Sequence, residues 1–352
     1  MDIAGSRTTE APTEADGASA PAHEWAWKLR VLAIVVVFAI IALARSRQVD
    51  IPFRDPHGKL FSSKILSTAE TLLLAVAIDI VVRWIRGRRQ GRSLWQTVRT
   101  RWSPYRIVMI VAALLAYQTV YLCYRNLKSW DVFRSPQDDL LLKWDKWLFF
   151  GHSPAVLLHD LLGQDRAARV LTSIYESFPT LVTLALVAAL AFTPTVRSAY
   201  VFVVSAIWAW IIGVGSYYLI PSLGPFWSAP QEFAGLTRTS IQHTQDNYVL
   251  QRANLLAEPG VSQHFAQISA FASLHCGLTF LIFLMARYYG LRRLSWAVGV
   301  FLVGTIIATV YLGWHFAVDD IAGLVLAWVS VQLGKLTVLG SWRSRRDPAL
   351  AS

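Results

Sequence analysis

Eight stretches of the chain are almost wholly apolar, at residues 29–44, 65–85, 107–124, 170–191, 199–220, 272–287, 295–313 and 319–338. Most approach the roughly 20 apolar residues that a helix needs to cross a bilayer's hydrocarbon core. The pattern predicts an all-α fold, a polytopic helical bundle in a membrane. It divides the chain into a polar tail at 1–28, two N-terminal spans with an arginine-rich loop at 29–106, a six-span core at 107–340 and a basic tail at 341–352. The first 24 residues are rich in Ala, Thr, Glu, Gly and Pro and hold no apolar core. They are expected to be disordered. They lack the basic start and early apolar stretch of a signal peptide, so the first span is expected to stay as an anchor.

Composition agrees with the pattern. Of the 352 residues, 55% are hydrophobic and 16% charged, against about 25% charged in soluble domains. The net charge of +11 is mostly arginine between apolar runs. That distribution is the signature of membrane topology, and nucleic acid is not an expected partner. Cys123 and Cys276 both lie in apolar runs and read as buried thiols.

Basic residues in short loops mark the cytoplasmic side. Arg83, Arg86, Arg88, Arg89, Arg92, Arg99, Arg101 and Arg106 follow the second run. With that block inside, alternation also puts Arg197, the group Arg287, Arg292 and Arg293, and the tail residues Arg343, Arg345 and Arg346 inside. Lys28 and Arg30 place the N-terminus there too. The protein is thus expected to be an integral inner or plasma membrane protein with both termini cytoplasmic. Arg45, Arg47, Arg54, Lys59 and Lys64, in the first outer loop, run against the rule.

Two outer segments stand out. Within 128–165, Leu140, Leu141, Trp144 and Leu148 fall at helical spacing among charged residues. They predict an amphipathic helix in the membrane interface, either as part of a site or as a plain aromatic anchor. The second segment, 221–271, is a long polar loop that runs directly into Ser273 and His275, and long ordered loops are usually functional.

Candidate chemistry sits near the C-terminal end. His315 and Asp319, four apart, share one helix face. A carboxylate there can accept the Nδ1 proton and leave Nε2 basic, as in an activated nucleophile. The same pair also occurs as a plain structural cap. His275 lies at the start of the sixth run on the same outer face, with Ser273 two residues before it. A helix start offers free N–H groups to an anion. Two histidines beside an anion site suit phosphoryl transfer, one attacking phosphorus and the other protonating the leaving oxygen. A divalent ion held by the two His and the Asp is the rival chemistry.

These residues resemble the membrane branch of the type 2 phosphatidic acid phosphatase superfamily. Its motifs read Lys-x6-Arg-Pro, Pro-Ser-Gly-His and Ser-Arg-x5-His-x3-Asp. Here the second is Ala272-Ser273-Leu274-His275, and the third keeps His315 and Asp319 with Ala308 and Thr309 in place of Ser-Arg. The first reads Tyr217-x6-Gly224-Pro225, without its two basic residues. Ser-Leu-His is similar to the inositolphosphorylceramide synthase type of phosphotransferase. So are Asp320-Ile321-Ala322-Gly323, the stretch Tyr218–Pro225, and Asp145-Lys146-Trp147-Leu148-Phe149-Phe150-Gly151 with Pro154. The resemblance covers about residues 110–340.

The resemblance implies that His315 forms a phosphohistidine, that Asp319 orients it, that His275 exchanges the proton and that Ser273 contacts the phosphate. It implies no metal and no cofactor. The substrate would be a membrane lipid and the acceptor a lipid or glycan hydroxyl. Two explanations fit the missing motif cations. Other outer-face residues take their place, with Arg125, Lys128, Lys143, Arg238 and Arg252 available and Tyr217 at the vacated motif position. Alternatively, the bound phosphate is a diester and carries less charge, which favours a head-group transferase over a monoester phosphatase. A lipid or polyprenyl phosphate phosphatase, a vanadate haloperoxidase and a non-catalytic lipid transporter or scaffold are the other readings.

Overall fold

A computed structural model describes residues 21–343, apart from 89, 90 and 92, together with 346 and 347. The expected tail at 1–20, Arg89, Arg92, Arg345 and residues 348–352 lie outside the described residues. Among those described, all regular structure is helical. In chain order, α1 (Pro21–Val49), α2 (Ser62–Arg88), α3 (Leu94–Arg101) and α4 (Pro104–Trp130) lead to the short helices α5 (Asp138–Leu148) and α6 (Pro154–Leu162). Next come α7 (Arg166–Glu176), α8 (Phe178–Phe192), α9 (Val196–Leu219), the single turn α10 (Pro225–Ser228) and α11 (Ser240–Ala257). The chain closes with α12 (Leu274–Tyr288), α13 (Arg292–Tyr311) and α14 (Ala317–Leu339).

Seven stretches are long and apolar enough to cross a membrane, with α7 and α8 forming one of them. The remaining apolar run, the sixth, is α12, only 15 residues and about 22 Å long, short of the roughly 30 Å hydrocarbon core. Helix α1 begins at Pro21 rather than at the expected Leu29. Its 29 residues extend about 43 Å, enough to span.

Burial ranks the helices. The spanning window of α9 is 78% buried, while those of α1 and α2 are 22% buried. The central α9 packs on α4, α12 and α14, and α1 and α2 lie at the periphery. Glycines permit the tightest crossings. A Cβ on Gly334 would lie 2.1 Å from Ser205 Oγ, where α14 meets α9. A Cβ on Gly323 would lie 2.2 Å from the Ser273 carbonyl, where α14 meets the start of α12.

The basic clusters gather at one end of the bundle. There Arg101 and Arg106 donate to the carbonyls of Thr193 and Pro194. Arg197 donates to the Val338 carbonyl and Arg30 to that of Leu336. At the opposite end, Arg54 in the α1–α2 connection is held by Asn126 of α4. Its N–H donates to Asn126 Oδ1 at 2.8 Å and its carbonyl accepts from Nδ2 at 3.0 Å. The Arg54 guanidinium then reaches the carbonyls of Pro259 and His264 and straps the long loop to the bundle.

From there the loop descends without helix into the bundle as far as Ser273. Non-helical backbone at such depth requires every polar group to find a protein partner. Serines supply them: Ala266 N–H donates to Ser129 Oγ, Phe271 N–H to Ser222 Oγ and Ala272 N–H to Ser216 Oγ. Those serines sit on or beside α4 and α9, so the descending segment is built into the helix packing.

Candidate active site

Helix α12 starts deep because of that descent. Ser273 is its N-cap, with Oγ accepting from Cys276 N–H at 3.4 Å. His275 therefore lies in the first turn. Its ring stacks on Tyr175 with centroids 4.3 Å apart and leans on Phe178 at 4.3 Å. His315 lies in the short link between α13 and α14, where its N–H donates to the Thr309 carbonyl. The two imidazole centroids are 5.8 Å apart.

Asp319, fully buried, does two jobs. Oδ2 accepts from Phe316 N–H at 3.0 Å, which caps α14, and lies 3.4 Å from His315 Nδ1. In that arrangement the pair makes no hydrogen bond, and His315 Nδ1 and Asp319 Oδ1 are both left without a partner. Burial, aided by the Lys128 charge and opposed by Asp320 and the Ala270 carbonyl, pushes the His315 imidazole down to about 4. It is therefore neutral near pH 7, the form a nucleophile needs. Ser273 N–H donates to the Asp319 carbonyl at 3.0 Å and so ties the two histidine-bearing segments together.

Helix α5 supports this link from outside, in a way the sequence pattern did not anticipate. Its buried face is Asp138, Leu141 and Asp145, while Leu140, Trp144 and Leu148, expected as the apolar face, are exposed along with Trp147. The Asp145 carboxylate accepts from the N–H groups of Ala317 and Val318 at 2.8 and 2.9 Å, the free donors at the start of α14. Asp138 does the same for Leu223 and Gly224. Gly224 has φ +106°, and a Cβ there would lie 2.6 Å from the Trp314 carbonyl, so the Gly224-Pro225 turn packs directly beneath the His315 link. Burial pushes Asp145 up to about 6, against the pull of its two N–H donors. The readable signal was two aspartates seven apart on one face of a helix otherwise rich in tryptophan.

Both histidines face a cavity of about 340 Å³. Its lining divides the sequence candidates. Arg125, Tyr217, His275 and His315 belong to it, and so do Lys128 and Lys64. Asp319 stands behind His315. Ser273 does not line it, because its hydroxyl is spent on the helix cap. Arg238 is exposed and paired with Asp246 at 2.9 Å. Arg252 donates to the Val132 carbonyl and lines a separate small pocket. Lys143 is also away from the cavity. Tyrosines 117, 121, 124, 175 and 248 complete a largely aromatic wall, and Val182 and Leu186 of α8 extend it in apolar character. Among the described residues, no three His, Cys, Asp or Glu side chains gather as a metal site.

The fold and site define a multi-pass helical membrane protein whose paired histidines face a cation-bearing cavity. A family model described as the PAP2 superfamily matches residues 139–333, more than half of the chain. The chain belongs to the PAP2 superfamily. Membership brings phosphatase or phosphotransferase chemistry on lipid-like substrates. The matched stretch contains His275, His315 and Asp319, whereas Lys64, Arg125 and Lys128 precede it. No curated protein and no solved structure matches the chain.

Proposed function

We propose that the protein is a membrane phosphotransferase that moves a phospho-head group from a phospholipid-type donor to a lipid or glycan hydroxyl. The observation that carries this reading is the pair of imidazoles, 5.8 Å apart, facing one cavity with Arg125 and Lys128. In the first step His315 Nε2 forms a bond to phosphorus while the bond to the donor's leaving oxygen breaks. His275 gives that oxygen a proton. In the second step His275 takes the proton of the acceptor hydroxyl, the acceptor oxygen bonds to phosphorus and Nε2 leaves. Asp319 keeps the Nδ1 proton in place throughout and offsets the positive charge on the ring. No step calls on a metal ion or cofactor.

Of the two explanations for the missing motif cations, the cavity favours substitution, since Arg125 and Lys128 stand in it. The choice of transfer over hydrolysis rests on Ser273-Leu274-His275 and on Asp145-Lys146-Trp147, which resemble the inositolphosphorylceramide synthase type. The loop arginines favour cytoplasmic termini and a site opening on the extracytoplasmic side.

The test feeds purified protein a phosphatidylinositol-type diester and a phosphatidic-acid-type monoester, with radiolabelled phosphorus in each. Transfer from the diester, with label trapped on the wild type and absent from His315→Ala, is the expected result. Rapid release of inorganic phosphate from the monoester alone would replace transfer with lipid phosphate hydrolysis. Unchanged turnover in His315→Ala would remove the mechanism.

A further inference from the structure

Arg125 and Lys128 lie three residues apart on α4 and both line the cavity, yet they are not equivalent. The Arg125 guanidinium is held through both Nη atoms, with its buried Nε left without a partner. It donates to Tyr121 Oη at 3.2 Å and to Gln267 Oε1, and it lies over the rings of Tyr121 and Phe265. The Lys128 ammonium makes no hydrogen bond or ion pair with any described residue. It lies over the Tyr217 ring, with Nζ 5.3 Å from the centroid.

The other charges around it are Arg125, which repels it, and Asp131. The Asp131 carboxylate is turned toward the Ser269 hydroxyl at 3.3 Å. The Lys128 charge also acts on both His275 and His315, so it stands at the reacting end of the cavity. An ammonium kept partly out of water with no carboxylate bonded to it is costly, and an anionic group of a substrate would offset that cost.

We propose that Lys128 is the phosphate anchor, its ammonium bonding a non-bridging oxygen of an anionic lipid phosphate whose phosphorus faces His315. Tyr217, at the position where the family motif places a lysine, supports the ammonium through its ring. Arg125, fixed by Tyr121 and Gln267, shapes the wall beside it. This inference rests on reading the cavity as a lipid-phosphate site, but it does not require that turnover be transfer.

Binding in a catalytically silent background tests it. In His315→Ala protein in detergent, calorimetry would follow dioctanoyl phosphatidic acid, dioctanoyl phosphatidylinositol and the uncharged dioctanoylglycerol. Adding Lys128→Gln should weaken both phosphate lipids about tenfold or more, in line with loss of a charge-assisted hydrogen bond, and leave dioctanoylglycerol unchanged. Lys128→Met, which keeps the aliphatic stem, should behave the same way, and Lys128→Arg should recover part of the affinity. A loss confined to one phosphate lipid also supports the anchor and shows whether it reads a monoester or a diester. Phosphate-lipid binding within twofold of the parent would overturn the proposal. So would an equal loss of dioctanoylglycerol, which would make Lys128 a packing residue. Lys128-dependent binding by a protein that shows no turnover would leave the anchor standing and remove the transfer reaction.

Discussion

Gly323→Ala probes the join that holds the two histidines in register. A Cβ there would sit 2.2 Å from the Ser273 carbonyl oxygen, 3.2 Å from its carbon and 3.3 Å from Gly277 N. All three are backbone atoms, so relief requires α12 and α14 to part by about 1 Å, an overpacking cost of roughly 1–3 kcal/mol. The gain in helix propensity, at most about 1 kcal/mol, offsets only part of it. The larger effect falls on chemistry. The same contact carries the 3.0 Å bond from Ser273 N–H to the Asp319 carbonyl, and His275 follows Ser273 by two residues. A misplacement of about 1 Å at a reacting pair costs on the order of 100-fold in rate. The assay is turnover of the labelled lipid alongside thermal unfolding in detergent. Gly299→Ala is the matched control, because its Cβ would meet only the Phe283 ring at an ordinary 3.4 Å. Gly323→Ala should lose about two orders of magnitude in kcat and unfold a few degrees lower, with Gly299→Ala at parental values. Full activity in Gly323→Ala would refute the view that this crossing sets the geometry of the site.

Two further outcomes follow from the geometry. Asp319→Asn keeps the size of the side chain but removes the charge that holds the His315 proton, so kcat should fall at least about 100-fold with KM little changed; a loss in KM alone would reassign Asp319 to binding. Asp145 sits at about 6 in the folded protein, above about 3.9 for an unfolded aspartate. The folded state therefore holds the extra proton, and wild-type stability should fall as pH rises from about 4 to about 6. Asp145→Asn should show a shallower slope in thermal unfolding scanned across the same range, because other buried aspartates still contribute, and a parallel slope in both proteins would sink the assignment.

The apolar runs made the bundle legible, because in a bilayer length and hydropathy fix a span almost by themselves. Three details differ: α1 begins earlier, the fourth run is divided between α7 and α8, and the sixth run is too short to cross alone. His275, His315 and Asp319 were readable from spacing and from their exposure to a membrane's penalty on charge. The cations were not. Arg125, Lys128, Arg238 and Arg252 look alike along the chain. What separates them is whether a neighbour such as Asp246 or the Val132 carbonyl has already claimed the charge, and that depends on contacts far apart in sequence. Ser273 misled for a related reason. A serine before a helix serves equally as an anion contact or an N-cap, and the structure uses it for the cap. The inward aspartates of α5 were hidden because an amphipathic reading assigns charge to the outside. Here the inside held bare N–H groups that needed carboxylates.

The family match begins at residue 139, after the last of the cavity's lysine and arginine side chains, Lys64, Arg125 and Lys128. On the proposed reading, the groups that make and break bonds and the groups that hold charge occupy separate stretches of one chain, joined by the Arg54 guanidinium, which donates to the carbonyls of Pro259 and His264. If the proposed roles hold, substrate preference can drift in the first stretch while the reaction stays fixed in the second. A relative with the same histidines and a different pair of leading helices is then expected to run the same reaction on a different lipid. Comparison of histidine motifs alone would file the two together.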